Sequence, residues 1–287
     1  MMVIPLDRVE AFIAFAEKKS FTHAANELHL SQPALFAQIQ KLEEQLGVSV
    51  YRRRGRSLAI TEEGERVLGF ARELRQRVLG FEASLRGEQV DDPVVLAAGR
   101  GSYLYLLGPA MRRFRRSGWS LTASVTGRDR CLEDVRLGRA HLGVAAGVAD
   151  VPDDLAAHPF AEVGSVVAFP KDHRFASRKK LRVADLDGEA LVAPPRGRAQ
   201  RATVDAALRE AGCQCRVVAE ADGWDLLLHF VALGLGLAIV NDCCQLPRGV
   251  KARPLAGVAG TSYVVVHRRA IVHPGAKALL EAILSSG

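Results

Sequence analysis

Two glutamines and four closely spaced arginines carry the most specific chemistry in this sequence. Gln32, Pro33, Phe36, Ala37 and Gln40 share one side of a helix. Leu35, Ile39, Leu42 and Leu46 fall within roughly 60° of each other on another side. An amide offers a donor and an acceptor together, the pattern that pairs with an adenine edge, and a Phe36 ring suits a thymine methyl or packing against a neighbouring hairpin. Ser31 is a natural N-cap for this helix, with Gln32-Pro33 in its first turn. Thr22 is placed to cap the short helix before it and to meet a phosphate with Ser31. The run Arg52-Arg53-Arg54-Gly55-Arg56 concentrates charge for phosphates or a narrow minor groove. In isolation it would be a solvated basic loop; directly after two helices and a tight turn, it reads as a nucleic-acid feature.

A second group lies in turns that follow apolar strands, where open α/β sheets hold ligands. These are Gly99-Arg100-Gly101-Ser102-Tyr103, Thr126-Gly127-Arg128, Ala193-Pro194-Pro195-Arg196-Gly197 and Val240-Asn241. Ser102, Thr126 and Asn241 offer neutral hydrogen bonds, and Arg100, Arg128 and Arg196 charge-assisted ones. The expectation is a small anionic effector such as a carboxylate. Any one of these arginines is equally a solvated side chain, and any hydroxyl a helix cap.

The elements that must position these groups follow from periodicity. Helices are expected over 6–18, from Thr22 through Leu28, and from Ser31 to Leu46 with Gly47 as the stop. Two short strands, Val48 to Tyr51 and Ser57 to Ile60, flank the arginines. Together these form a helix-turn-helix with a wing, the arrangement that enters a major groove. Thr61-Glu62-Glu63 opens a long helix in which Val67, Ala71, Leu74, Val78, Phe81 and Leu85 repeat at steps of 4, 3, 4, 3 and 4. That is a coiled-coil seam, and dimerisation is expected along it. Gly87 to Pro93 reads as a hinge, after which short helices alternate with apolar strands to the end.

Composition excludes several classes. The formal charge of +7 resides beyond residue 92, since residues 1–92 hold 13 Lys and Arg against 14 Asp and Glu. Local pattern, not global basicity, carries the DNA reading. The most apolar stretch, Leu226 to Val240, contains His229 and is too short to span a bilayer. Asp7, Arg8 and Glu10 break up any secretory layout, so the expected location is the cytoplasm, with no membrane partner. Cys131, Cys213, Cys215, Cys243 and Cys244 are then reduced; they read as ordinary thiols, neither a disulfide framework nor a switch. No histidine stands at zinc spacing from them, and neither metal nor cofactor is expected. Gly99-Arg100-Gly101 lacks the third glycine of a dinucleotide loop, and no Walker, G-x-S-x-G or H-E-x-x-H motif occurs, so an enzyme is not expected.

The run from Ser20 through Ala24-Ala25, Leu28 and Leu30-Ser31-Gln32-Pro33-Ala34-Leu35 resembles the helix-turn-helix signature of LysR-type transcriptional regulators. So does its continuation through Leu42-Glu43-Glu44-Gln45-Leu46-Gly47 to Thr61-Glu62-Glu63-Gly64. The resemblance implies a winged helix-turn-helix over 1–64, a linker helix and hinge over 65–92, and an effector-binding domain over 93–287. That domain would be α/β, like periplasmic binding proteins, with one subdomain at roughly 93–163 plus 268–287 and the other at roughly 164–267. It also implies a homodimer or homotetramer, double-stranded DNA, a small effector between the subdomains, and RNA polymerase as a partner. Phe36, Ala37 and His141 depart from the family's usual serine, basic residue and aspartate.

Overall fold

The computed structural model describes residues 4–54, 57–85, 92–147, 151–271 and 273–286. In the N-terminal unit, α1 (Leu6–Lys18) buries Phe12, Ile13 and Phe15 against α2 (Phe21–Glu27) and α3 (Gln32–Leu46). α2 is capped by Ser20, whose hydroxyl accepts from the His23 amide (3.4 Å), and not by Thr22. α3 is capped by Ser31, which accepts from the Ala34 amide (3.3 Å), and ends at Gly47 with φ 68°. Leu35, Ile39 and Leu42 are its buried stripe.

The wing differs from expectation. β1 (Tyr51–Arg54) starts at Tyr51 and takes in Arg52 to Arg54, pairing antiparallel with β2 (Ser57–Ile60). Val48 to Val50 cannot join it, because the Val50 amide donates to Glu43 Oε1 (2.8 Å) while its side chain is buried in the core. The arginines therefore stand on a strand rather than a turn; Arg56 lies outside the described residues.

α4 (Glu62–Leu85) runs from the wing towards the second half of the chain. Ala71, 2% exposed, packs with Val67 and Leu74 on the N-terminal core, and Arg72 and Arg75 reach Glu17 and Glu10 on α1. The lower half of the expected seam is thus satisfied within the chain. Further along, Val78 is half-buried, while Phe81 is 64% and Leu85 72% exposed. A Cβ at Gly69 would lie 2.0 Å from Leu137 O, so only glycine allows α4 to dock this closely. Glu62, Glu65 and Glu73 pair there with Arg136, Arg139 and Arg268.

Two α/β subdomains follow. The first has the mixed sheet β4-β3-β5-β13-β6, built from β3 (Val94–Ala98), β4 (Leu121–Val125), β5 (Leu142–Ala146), β6 (Leu155–Val163) and β13 (Thr261–Arg268). Its core also takes in α5 (Gly108–Phe114) and α9 (Pro274–Leu284), with α6 (Arg128–Arg136) against the opposite face. β13 pairs with both β5 and β6, so the chain returns to this subdomain at Thr261, before the expected boundary at 268. β6 ends at Val163 and β7 (Ser165–Pro170) begins after Gly164, where the chain passes to the second subdomain. β6 is the sheet edge, the position that tolerates Pro159.

The second subdomain carries β11-β7-β12-β8 and the parallel pair β9-β10, linked by a bridge from Leu191 to Leu237. Its strands are β7, β8 (Leu181–Arg182), β9 (Ala190–Ala193), β10 (Arg216–Glu220), β11 (Ala238–Asn241) and β12 (Val250–Ala256). α7 (Ala199–Glu210) and α8 (Trp224–Ala232) pack on them.

A candidate DNA-reading face and an effector cleft

On the N-terminal unit, Thr22, Ser31, Gln32, Pro33, Phe36, Gln40, Arg52 and Arg53 are all exposed. The geometry sharpens several roles. Thr22 Oγ1 donates to Gln32 Oε1 (3.2 Å), so the threonine orients the glutamine amide from α2 instead of standing clear for a phosphate. The Phe36 ring meets Phe21 edge-on at 5.3 Å. Phe21 in turn stacks on Phe15 (4.4 Å) and meets Tyr51 (5.4 Å). This aromatic chain fixes α3 and the first wing residue to one another, with part of the Phe36 ring still in solvent.

The second site is a cleft of about 530 Å³ between the two subdomains. From the first come Arg100, Gly101, Ser102, Tyr105, Thr126, Arg128 and Tyr263, and from the second Pro194, Arg198, Gln200, Asp222, Trp224 and Asp225. Three expected residues are elsewhere. Tyr103 turns inward and donates to Leu96 O (2.5 Å), and burial pushes its phenol up to about 12. Arg196 faces a separate surface hollow beside Arg201 and Asp205. Asn241 is buried behind the cleft, its amide donating to Tyr263 Oη (3.4 Å).

The charges in the cleft are largely paired. Arg100 forms an ion pair across the cleft with Asp225, and Arg198 one with Asp222. Arg128 donates through Nε to Ala146 O (2.9 Å), at the N-terminus of α6. Asp225 Oδ1 is buried without a hydrogen-bond partner. Trp224 reaches from the second subdomain onto the first, where a Cβ on Gly101 would sit 2.7 Å from its ring. Its Nε1 donates to Gln200 Oε1 (2.8 Å), and its ring lies 6.1 Å from that of Tyr105. Serine, threonine, a helix N-terminus and one unmatched carboxylate oxygen together can hold a small polar molecule in place of these internal contacts.

The family profile described as bacterial regulatory helix-turn-helix protein, lysR family, matches residues 6–65, and that of the LysR substrate binding domain matches 87–287. The chain belongs to the LysR family. It is a LysR-type transcriptional regulator with a DNA-binding helix-turn-helix and an effector-binding domain. The RuBisCO operon transcriptional regulator of Allochromatium vinosum is 28% identical over 293 residues, covering 99% of this chain and 97% of the relative. TtuA of Agrobacterium vitis, an HTH-type transcriptional regulator, is 27% identical, covering 97% and 96%. Among solved structures, a full-length OxyR variant from Pseudomonas aeruginosa shares the fold with a TM-score of 0.71 at 21% identity, covering 99% of each chain. CbnR complexed with its target DNA does so at 0.60 and 21%, covering 99% and 100%.

Sequence reasoning about this LysR-type chain missed Tyr105, Arg198, Gln200, Asp222, Trp224 and Asp225. The signal for three of them was available: Asp222 lies in the turn after β10, and Trp224 and Asp225 open the helix that follows it, the same strand-end position that flagged the other turns. Arg198 and Gln200 carry no such mark beyond lying at the start of α7.

His141 lies outside both sites. Its Nδ1 accepts from the Val95 amide (2.9 Å), its ring meets His273 at 4.7 Å, and burial pushes its pKa down to about 4. It therefore serves the first subdomain from within, as a neutral ring. Among the described residues no helix is long and apolar enough to cross a membrane.

Proposed function

We propose that this regulator reads operator DNA as a homodimer, laying α3 of each copy in successive major grooves, and that a small carboxylate-bearing effector in the cleft modulates the complex. Supporting the first part is the display of Gln32, Phe36 and Gln40 on one exposed helical face beside Arg52 and Arg53. Gln32 and Gln40 read base edges, Arg52 and Arg53 hold backbone, and Arg54 and Arg56 continue that stripe by sequence. The upper part of α4, with Phe81 64% and Leu85 72% exposed, is the apolar surface a second copy would cover. Dimers of such dimers, and contact with RNA polymerase in the cytoplasm, complete the reading.

An anionic effector is supported by charge. Arg100, Arg128 and Arg198 line the cleft and can offer charge-assisted hydrogen bonds to a carboxylate, and the α6 N-terminus adds its dipole. An incoming carboxylate would compete with Asp225 for Arg100.

Selection of duplexes from a random pool, with and without a panel of small carboxylates and neutral analogues, tests both parts. The expected result is one enriched operator whose affinity carboxylates shift. No preference over bulk competitor at any salt would overturn the DNA reading; a shift by neutral compounds alone would overturn the anionic effector.

A further inference from the structure

The eight histidines differ in what their ring nitrogens face. His141 accepts the Val95 amide at Nδ1. His273 accepts the Ala276 amide at Nδ1 (3.2 Å) and sets Nε2 against Asp92. His173 accepts the Phe175 amide (3.3 Å) and faces Glu189. Each of these rings holds backbone, pairs with a carboxylate, or does both.

His158 and His267 are placed otherwise. They lie on neighbouring antiparallel strands, β6 and β13, where His158 stands opposite Val265 and His267 opposite Ala156. Two residues apart in register, they share one face of the sheet and meet on the diagonal. Their Nε2 atoms are 3.0 Å apart and their rings are nearly parallel, at 11°. Among the described residues no carboxylate pairs with either ring.

The partners fix where the hydrogens are. His267 Nδ1 lies 2.7 Å from Arg268 O, and a carbonyl can only accept, so this ring carries its hydrogen at Nδ1 and turns a lone pair outward at Nε2. His158 Nε2 then donates to it. Histidines that ligate metals are held in the same way, one nitrogen donating to a backbone carbonyl and the other bare. His267 is 6% exposed, whereas His158 is half-buried and its Nδ1 has no protein partner among the described residues. The His158 hydrogen can therefore pass from Nε2 to Nδ1 with the ring still neutral, which bares a second lone pair beside the first.

The separation selects the ion. Two nitrogens 3.0 Å apart, each about 2.0 Å from one metal, subtend about 97° there, the angle between adjacent corners of a square or octahedron. Zinc in a tetrahedral site would hold them further apart. Copper(II) favours such corners, and among the divalent first-row ions it binds imidazole most tightly. Among the described residues no group of three or more His, Cys, Asp or Glu is arranged to hold a metal ion, so the protein supplies two corners and water the rest.

We infer that His158 and His267 form a two-imidazole site for a copper(II) ion, which staples β6 to β13. Binding turns the His158 ring until both Nε2 lone pairs meet at the ion. Water leaves the two corners they take, the His158 hydrogen passes to Nδ1, and copper stays divalent. β6 is the strand by which the chain leaves the first subdomain, and β13 the strand by which it returns, so the staple joins the two crossings. The two residues stand 109 positions apart, and no spacing in the sequence announces them.

Copper(II) titrated into the metal-free, tag-free full-length protein, followed by electron paramagnetic resonance, tests this. The expected result is one ion per chain, coupled to two equatorial nitrogens and displaced by zinc only in excess. The signal should be lost in His158→Gln, and kept in a His23→Gln/His229→Gln double variant that removes two exposed histidines. His267→Gln should lose it too, with circular dichroism checking that each variant is folded. A two-nitrogen signal that persists in folded His158→Gln, one that disappears with His23 and His229, zinc outcompeting copper at equal concentration, or no stoichiometric binding would each overturn the site. The readout needs neither DNA nor effector, so it stands apart from the regulatory reading.

Discussion

In the first sixty residues, the contacts that hold the reading face come from neighbours close in sequence. Ser31 caps its own helix, Thr22 holds Gln32 across ten positions, and Phe21 pins Phe36. The effector cleft is assembled the other way. Arg100 meets a partner 125 positions away, and Trp224 rests on Gly101 from the opposite subdomain. A reading face built locally is present before any partner arrives. A cleft built from distant segments is occupied by its own side chains, and a ligand must replace contacts that already exist.

Several substitutions would break or sharpen that contrast, beginning with the strongest. Leu35→Ala removes a fully buried side chain beneath the reading face and should cost about 2–5 kcal/mol of stability by chemical denaturation. If operator binding survives it unchanged, the face does not depend on its local core. Next in size is a pH effect in the effector domain. His141 stays neutral in the fold down to about pH 4, whereas in the unfolded chain it takes up a proton near 6.5. Its contribution is complete above 6.5 and is lost as pH falls towards 4, at most about 3 kcal/mol. Titration of the unfolding midpoint should show this slope, and His141→Asn, which keeps an acceptor for Val95, should flatten it.

Gly101→Ala pushes a methyl into Trp224 and should destabilise by about 1–3 kcal/mol, with a red shift in tryptophan emission as the ring is displaced. An unshifted spectrum would mean that Trp224 does not seal the cleft. Gln32→Ala should leave stability intact and cost about 1–3 kcal/mol of binding at a single base pair, measured by competition among operator variants. Arg100→Ala should be the mildest. An ion pair so open to solvent contributes less than about 1 kcal/mol, and its loss should appear in effector affinity rather than in melting.

The difference in construction also explains what the sequence discloses. Helix stripes, the Ser31 cap and the Gly47 stop are local rules written in consecutive residues, and α3 could be read to its ends. The wing was misjudged by three residues because Glu43, on another element, claims the Val50 amide. The turns bearing Arg100, Ser102, Thr126 and Arg128 were legible as strand ends, and they do share a cavity. That Tyr103 turns inward while Tyr105 faces the cleft follows from their standing two residues apart on one helical turn, Ser102–Leu106, and so on opposite sides of it. The return of β13 to the first sheet is a matter of long-range pairing, invisible to periodicity.

The three glutamates by which α4 grips Arg136, Arg139 and Arg268 all reach the first subdomain. Reading unit, stem and first subdomain are thereby docked on one another, with Gly69 against Leu137 at the contact. If two copies pair as proposed, a change at the cleft would reach the DNA as a change in the spacing and tilt of their reading heads rather than in the shape of either head.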